Sequence, residues 1–534
     1  MNKLNYGGPV VLVVMDGVGL SQTKIGNAVA SARLDFLNQA IRTQKTMALQ
    51  ASGEAVGILA GQMGNSEVGH NAIGAGQIIK QGIAKIEDEF RTGQIWHSEG
   101  WRGAVENVLK NHSTLHFSGI FSDGGVHSSI DHLFKMLARA QSESIKKVRI
   151  HLVLDGRDVP PRSAEKYIRQ LEDFIANLKT NSPTELDYRI ASGGGRMIFV
   201  ADRYETDWSI VERGWNAMVY GRAEHYFDSA LSAVEALRKQ DPSLQDQYLP
   251  AFVITEQNQP VGLVKANDSF IYYDFRADRA IEIAEAFTYN DFTGFDRGTP
   301  NNSRLEVFFA GMTEYNSDIH VPEHRLVQPV EIRNSLHEFL GEHHVSQLAV
   351  AETAKFGHIT YYFNGNSYEQ YPDERQIEIP SDTLPYDERP WMKAAETTDA
   401  LLNELEHYRF VRVNYAGGDM VGHSGNLAAT IVAMEAIDLQ LARIAKRVDE
   451  LGGMMIITAD HGNAEELIDE SGEVKTAHTK NLVPCIFYDN TSNRNLYELN
   501  RLTDAGLSNL APTVANLLGF SEVPTTWRPS LIQL

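Results

Sequence analysis

Cysteine is almost absent from this chain: Cys485 stands alone among 534 residues. A single thiol closes no intrachain disulfide, which fits a reducing compartment. Long apolar runs are missing too, and no stretch reaches the ~18 apolar residues that a membrane span needs. The short run Pro9–Met15 could pass for a signal core behind Lys3. It lacks a small-residue cleavage site and passes straight into Asp16, so a first β-strand is the expectation, and a cytoplasmic location with it. Basic charge is scarce: 48 Lys and Arg against 70 Asp and Glu leave a formal net charge of -22. So acidic a surface argues against nucleic acid or an anionic membrane as partner. A small anion is still admissible, because a local cluster of arginines can reverse the field inside a cleft. There is no internal repeat and no low-complexity segment.

What is present is the composition of an ordinary globular enzyme, 43% hydrophobic and 22% charged. The length allows two domains or three. Strand-like runs at 10–15, 115–121, 148–154, 270–275, 305–309, 347–351, 410–414 and 454–458 alternate with amphipathic stretches at 130–140, 164–178 and 428–448. That alternation is the mark of an α/β architecture. Residues of metal-binding type fall early and late in the chain, and the middle is rich in functional-looking arginines. One domain inserted into a loop of another is the simplest account. The divisions are expected near Gly82, after the glycine-rich Gly69–Gly76, and within Asn316–Glu323. This gives residues 1–82 with 319–534, and 83–318.

The strongest local signal is Ala459-Asp460-His461-Gly462-Asn463, delivered by the apolar run Met454–Thr458. Val10–Met15 likewise ends in Asp16, and Phe410–Asn414 leads into Asp419-Met420-Val421-Gly422-His423. Open parallel sheets place ligands at the carboxyl ends of strands. Asp16, Asp419, His423, Asp460, His461 and His478 therefore form an oxygen- and nitrogen-rich set suited to two divalent ions of the manganese or zinc kind. Asp419 and His423, four apart, would share one face of a helical turn. Gln62–His70 holds Ser66 between small residues. A serine at a helix N-terminus is either a cap or, with free N–H groups and the dipole beside it, part of a phosphate site.

These segments resemble those of cofactor-independent (2,3-bisphosphoglycerate-independent) phosphoglycerate mutases, of the alkaline phosphatase superfamily. The likeness rests on Met63–His70, Gly124–Ser128, Leu154–Val159, Phe275–Arg279, Asp419–Gly425, Asp460–Asn463 and Thr476–Thr479, and so spans nearly the whole chain. It implies an alkaline-phosphatase-like metal domain carrying an inserted α/β substrate domain. It implies an isomerase that interconverts 3-phosphoglycerate and 2-phosphoglycerate in glycolysis and gluconeogenesis, with two divalent ions, Mn²⁺ foremost. Another phosphomutase or a phosphatase of the superfamily is the alternative. Asp16, Ser66, Asp460 and His461 would hold one metal, and Asp419, His423 and His478 the other. Ser66 would be the nucleophile and Lys355 would contact the phosphoryl group. His127, Arg157, Asp158, Arg196, Arg203, Arg276 and Arg279 would bind the substrate, with Asp158 as general acid and base. An ion pair with Arg157 is the plainer role for Asp158, and Arg276 and Arg279 could converge on one anion. Ala277 and Gly418 stand where the family often has proline, and the expectation is a looser backbone at both. Arg196 and Arg203 follow the plant and trypanosomatid spacing. A monomer acting on a small molecule is expected.

Overall fold

The structure is a computed structural model that describes residues 4–202, 206–316, 320–328, 330, 332–469 and 472–534. The chain divides into two compact units, Met1–Lys85 with Val330–Leu534, and Ile86–Pro329. The α/β architecture read from the alternating pattern is present in both. Among the described residues, no helix is long and apolar enough to cross a membrane.

In the first unit the sheet runs, strand by strand, 374–379, 347–352, 410–415, 10–15, 454–458, 483–488 and 45–49. The first five are parallel, and the last two pair antiparallel at the edge. Every residue of the central strand Val10–Met15 is buried. A continuous apolar run is what a parallel strand covered on both faces requires. The helix Leu427–Leu451 packs its buried Ala433, Ile437, Leu441, Ile444 and Val448, at the three-to-four spacing of one helical face. Asn426 caps it, accepting from the Ala429 N–H at 3.1 Å.

In the second unit the order is 324–325, 308–311, 269–272, 115–121, 147–154, 187–195, 252–256 and 225–227. The central strands 308–311, 269–272, 115–121, 147–154 and 187–195 are all parallel. Alternate residues of one strand serve opposite cores: Leu152 and Leu154 belong to the core that holds Trp101, and Val153 to the one that holds Trp215. Two of the expected strands differ from the expectation by more than one residue at an end. The one expected to reach Phe275 ends at Tyr272. There the Asp274 carboxylate takes the Ile120 N–H at 2.7 Å and replaces the backbone as acceptor. The one expected at 305–309 forms at Phe308–Gly311.

Candidate active site

In the first unit the carboxyl ends of neighbouring parallel strands carry Asp16, Asp419 and Asp460. Asp16 follows the central strand directly. Asp419 lies in the short helix Gly417–Gly422, and the His423 N–H bonds the Asp419 carbonyl at 2.9 Å, so the two share one turn as their spacing implied. Gly418 permits a close approach of two segments. A Cβ there would lie 2.5 Å from the Asp16 carbonyl, so its absence lets the two ligand-bearing loops touch.

Ser66 opens the helix Ser66–Ala75. It is not the cap: Asn65 is, accepting from the Val68 N–H at 2.9 Å. That leaves the Ser66 hydroxyl to face the cluster. Its Oγ lies 2.6 Å from Lys355 Nζ, 3.0 Å from His461 Nε2 and 3.2 Å from Asp16 Oδ1. Lys355 Nζ also bonds Asp419 Oδ2 at 2.7 Å and lies 2.9 Å from Asp16 Oδ1. Burial would lower the Lys355 pKa, but Asp16, Asp419 and Asp460 outweigh it and hold the pKa above the usual lysine value. Burial and the Asp460 charge push the Asp16 carboxyl up. Burial acts the same way on Asp419, where Lys355 and the hydrogen-bonded histidines win and its pKa lies well below normal.

Three buried carboxylates around one lysine leave negative charge uncompensated, which is costly away from water. Asp460 Oδ2 is buried without a well-formed hydrogen bond. His423 Nε2 and His478 Nε2 lie 3.0 Å apart and each 3.2 Å from Asp419 Oδ1. Their Nδ1 atoms donate to the carbonyls of Thr476, at 2.7 Å, and Gly64, at 2.8 Å. The two Nε2 atoms therefore converge on one carboxylate oxygen, the arrangement of metal-binding imidazoles fixed from behind. Asp419, His423 and His478 group together, as do Asp16, Asp419 and His461. The donor set fits divalent cations.

Four residues here went without a role in the sequence reading. His70 sits with Asp16 and Asp460, but both its ring nitrogens are used. Nδ1 donates to the Ser66 carbonyl at 2.8 Å, and Nε2 accepts from Asn414 Nδ2 at 3.0 Å. Asn414 also donates to Asp16 Oδ2 at 2.7 Å, so the pair orients that carboxylate. Asn463 Nδ2 reaches Asp419 Oδ1 at 3.5 Å, and Glu465 is wholly buried beside it. The available signal was a polar residue ending an apolar strand, Asn414, and the polar run after His461.

The second unit gathers its candidates at the carboxyl ends of strands 115–121, 147–154, 187–195 and 269–272. Arg196 Nη1 donates to Asp155 Oδ1 at 2.7 Å and to Asp158 Oδ2 at 2.6 Å. The alternative pairing of Asp158 with Arg157 is not made. Asp155 Oδ1 accepts the N–H groups of both residues and turns the loop so that Asp158 faces Arg196, while Arg157 is exposed. His127 stands between two carboxylates, 3.8 Å from Asp158 Oδ2 and 3.3 Å from Asp278 Oδ1. Arg276 is exposed and 3.7 Å from Asp278 Oδ2, whereas Arg279 is buried and donates to the Ala201 carbonyl at 2.7 Å. The two flank the tight turn Ala277–Arg279 and contact different partners. Arg203 lies outside the described residues.

A strand-end cluster of this kind defines a divalent-metal enzyme, and the model of the Metalloenzyme superfamily matches residues 8–522. A Leptospira interrogans protein named probable 2,3-bisphosphoglycerate-independent phosphoglycerate mutase is 43% identical over 98% of this chain and 97% of its own. The mutase so named from Trypanosoma brucei brucei is 39% identical, with 98% and 97% covered. A crystal structure of Leishmania mexicana phosphoglycerate mutase at low cobalt concentration superposes with a TM-score of 0.69 at 38% identity, covering 100% of this chain and 99% of that one. The chain belongs to the 2,3-bisphosphoglycerate-independent phosphoglycerate mutases.

Proposed function

We propose that this enzyme interconverts 3-phosphoglycerate and 2-phosphoglycerate through a phosphoserine on Ser66. The observation that carries the reading is the surroundings of Ser66 Oγ: a helix N-terminus, the Lys355 ammonium at 2.6 Å and the His461 imidazole at 3.0 Å. A nucleophile is useful only where the charge it creates is offset.

Two divalent ions, Mn²⁺ by preference, held by Asp16, Ser66, Asp460 and His461 and by Asp419, His423 and His478, would supply Lewis-acid charge at the reacting oxygens. The protein's own groups do the rest. Ser66 Oγ would enter as the alkoxide, its proton already lost to solvent and its charge offset by the cations and the Lys355 ammonium; it attacks phosphorus, the Oγ–P bond forms and the bond from phosphorus to the glycerate oxygen breaks. Lys355 holds a hydrogen bond on Oγ and places a point charge beside the incoming phosphoryl group. His70 and Asn414 keep Asp16 in register through the bonds described above. His127, Arg157, Arg196, Arg203, Arg276 and Arg279 bind the glycerate, where the planar guanidinium fork matches carboxylate and phosphate. Asp158 returns a proton to the oxygen that lost phosphorus and takes one from the hydroxyl that attacks next. The phosphoryl group then leaves Ser66 for that oxygen; the new P–O bond forms, the Oγ–P bond breaks, and the Ser66 alkoxide is restored.

The test is chemical trapping. Wild-type enzyme quenched with 3-phosphoglycerate and Mn²⁺, without bisphosphoglycerate, should carry phosphate on Ser66 by mass spectrometry. Ser66→Ala should fold, still bind Mn²⁺ and lose mutase activity. Phosphate on a histidine would overturn this route.

A further inference from the structure

The wholly buried Glu465 makes no ion pair with Lys, Arg or His among the described residues, yet it is surrounded by donors. Its Oε2 accepts the Gly19 N–H at 2.9 Å and the Asn463 N–H at 2.9 Å. Its Oε1 accepts from Asn481 Nδ2 at 2.9 Å and from the Thr479 hydroxyl. A buried carboxylate is tolerated only when its lone pairs are satisfied, and here four neutral donors satisfy them.

The donors come from separate loops. Gly19 lies three residues after Asp16, Asn463 two after His461, and Thr479 next to His478. The Thr479 N–H also bonds the Gly462 carbonyl at 2.9 Å, tying the last two loops together. Room for this knot depends on Gly462, where a Cβ would lie 2.3 Å from Glu465 Oε1. Each loop carries a candidate metal ligand, and Asn463 extends the connection to Asp419 through its amide.

We propose that Glu465 is a positioning residue that sets the spacing of the ligand loops of both cation sites. The inference rests on the metal-ligand reading above. Glu465 would act through geometry and hydrogen-bond acceptance, not through its charge, and the substitutions separate these. In Glu465→Gln the amide oxygen can stay on the two backbone N–H groups, which cannot reverse. The new NH₂ then meets Thr479 and Asn481, whose hydroxyl and amide can both turn to accept. Glu465→Asp keeps the charge but is one methylene shorter and cannot span both pairs of donors. Glu465→Ala removes the knot.

The experiment is a Mn²⁺ titration of the full chain, with free Mn²⁺ read by electron paramagnetic resonance and the metal-free fold checked by circular dichroism. The expected order is wild type and Gln within a few-fold of each other, then Asp, then Ala. Ala should lose ~10–100-fold in affinity, the usual cost of removing a group that orients metal ligands. Undiminished Mn²⁺ binding in Ala would overturn the proposal. So would wild-type affinity in Asp with loss in Gln, since charge would then be what matters. If Ala does not fold, the order of Gln and Asp decides. A wild type that binds no Mn²⁺ would sink the metal-ligand reading itself and this clamp with it; two occupied sites in both wild type and Ala sink the clamp alone.

Discussion

Replacing Lys355 by methionine separates two tasks that the structure assigns to one cluster. Lys355 is 3% exposed, and its ammonium reaches Ser66 Oγ, Asp419 Oδ2 and Asp16 Oδ1 within 2.6–2.9 Å. Methionine keeps an unbranched stem of similar length and removes the charge. Loss of one donor preorganised on a reacting oxygen typically costs ~10²–10³ in kcat, about 3–4 kcal/mol. Metal affinity should move the other way or not at all. Asp16, Asp419 and Asp460 would be left without their ammonium, and a more negative site attracts a divalent ion more strongly. Steady-state kinetics on 3-phosphoglycerate and a Mn²⁺ titration of the same sample read both effects. A loss of metal affinity in parallel with kcat would show Lys355 to be scaffold only and refute the reasoning. A kcat within tenfold of wild type would refute it too.

Other perturbations follow from the same contacts. The His423 pKa is raised by its hydrogen bond to Asp419, and that of His478 by Asp419 against the effect of burial. In the metal-free protein this stabilisation is full below the ordinary histidine value of about 6.5 and is lost as pH rises through the raised values. Protons compete with metal for these nitrogens, so the gain in Tm on adding Mn²⁺ should grow with pH over that window, and a pH-independent gain would contradict the assignment. Arg276→Lys keeps charge but loses the fork; it should lower mutase activity and raise the ratio of phosphatase to mutase turnover, and an unchanged ratio would remove Arg276 from glycerate binding. Arg412→Met should destabilise the protein by about 3–5 kcal/mol in denaturant unfolding, because it leaves the buried carboxylate of Glu374, now 2.7 Å from Arg412 Nη2, without its guanidinium; a loss under 1 kcal/mol would show the pair to be dispensable.

Much of this protein could be read from local pattern. The apolar runs at 10–15, 115–121 and 454–458 became strands at those residues because a continuous or alternating apolar segment bounded by polar ones can be buried in few other ways. Asp16 and the Asp460-His461 pair were legible as members of one candidate cluster because a carboxylate at the end of a buried strand has no packing reason to be there. Spacing alone placed Asp419 and His423 on one turn. Folding decided what depends on distant partners. The choice of Arg196 over Arg157 as partner of Asp158 was set by how Asp155 turns the loop. The strand that stops at Tyr272 does so because Asp274 finds the Ile120 N–H 154 residues away. Glu465 was one acidic residue among 70 until three loops closed on it. Sequence carries periodicity and chemical type, which are local; hydrogen-bond partners separated by hundreds of residues are fixed only when the sheet brings strand ends together.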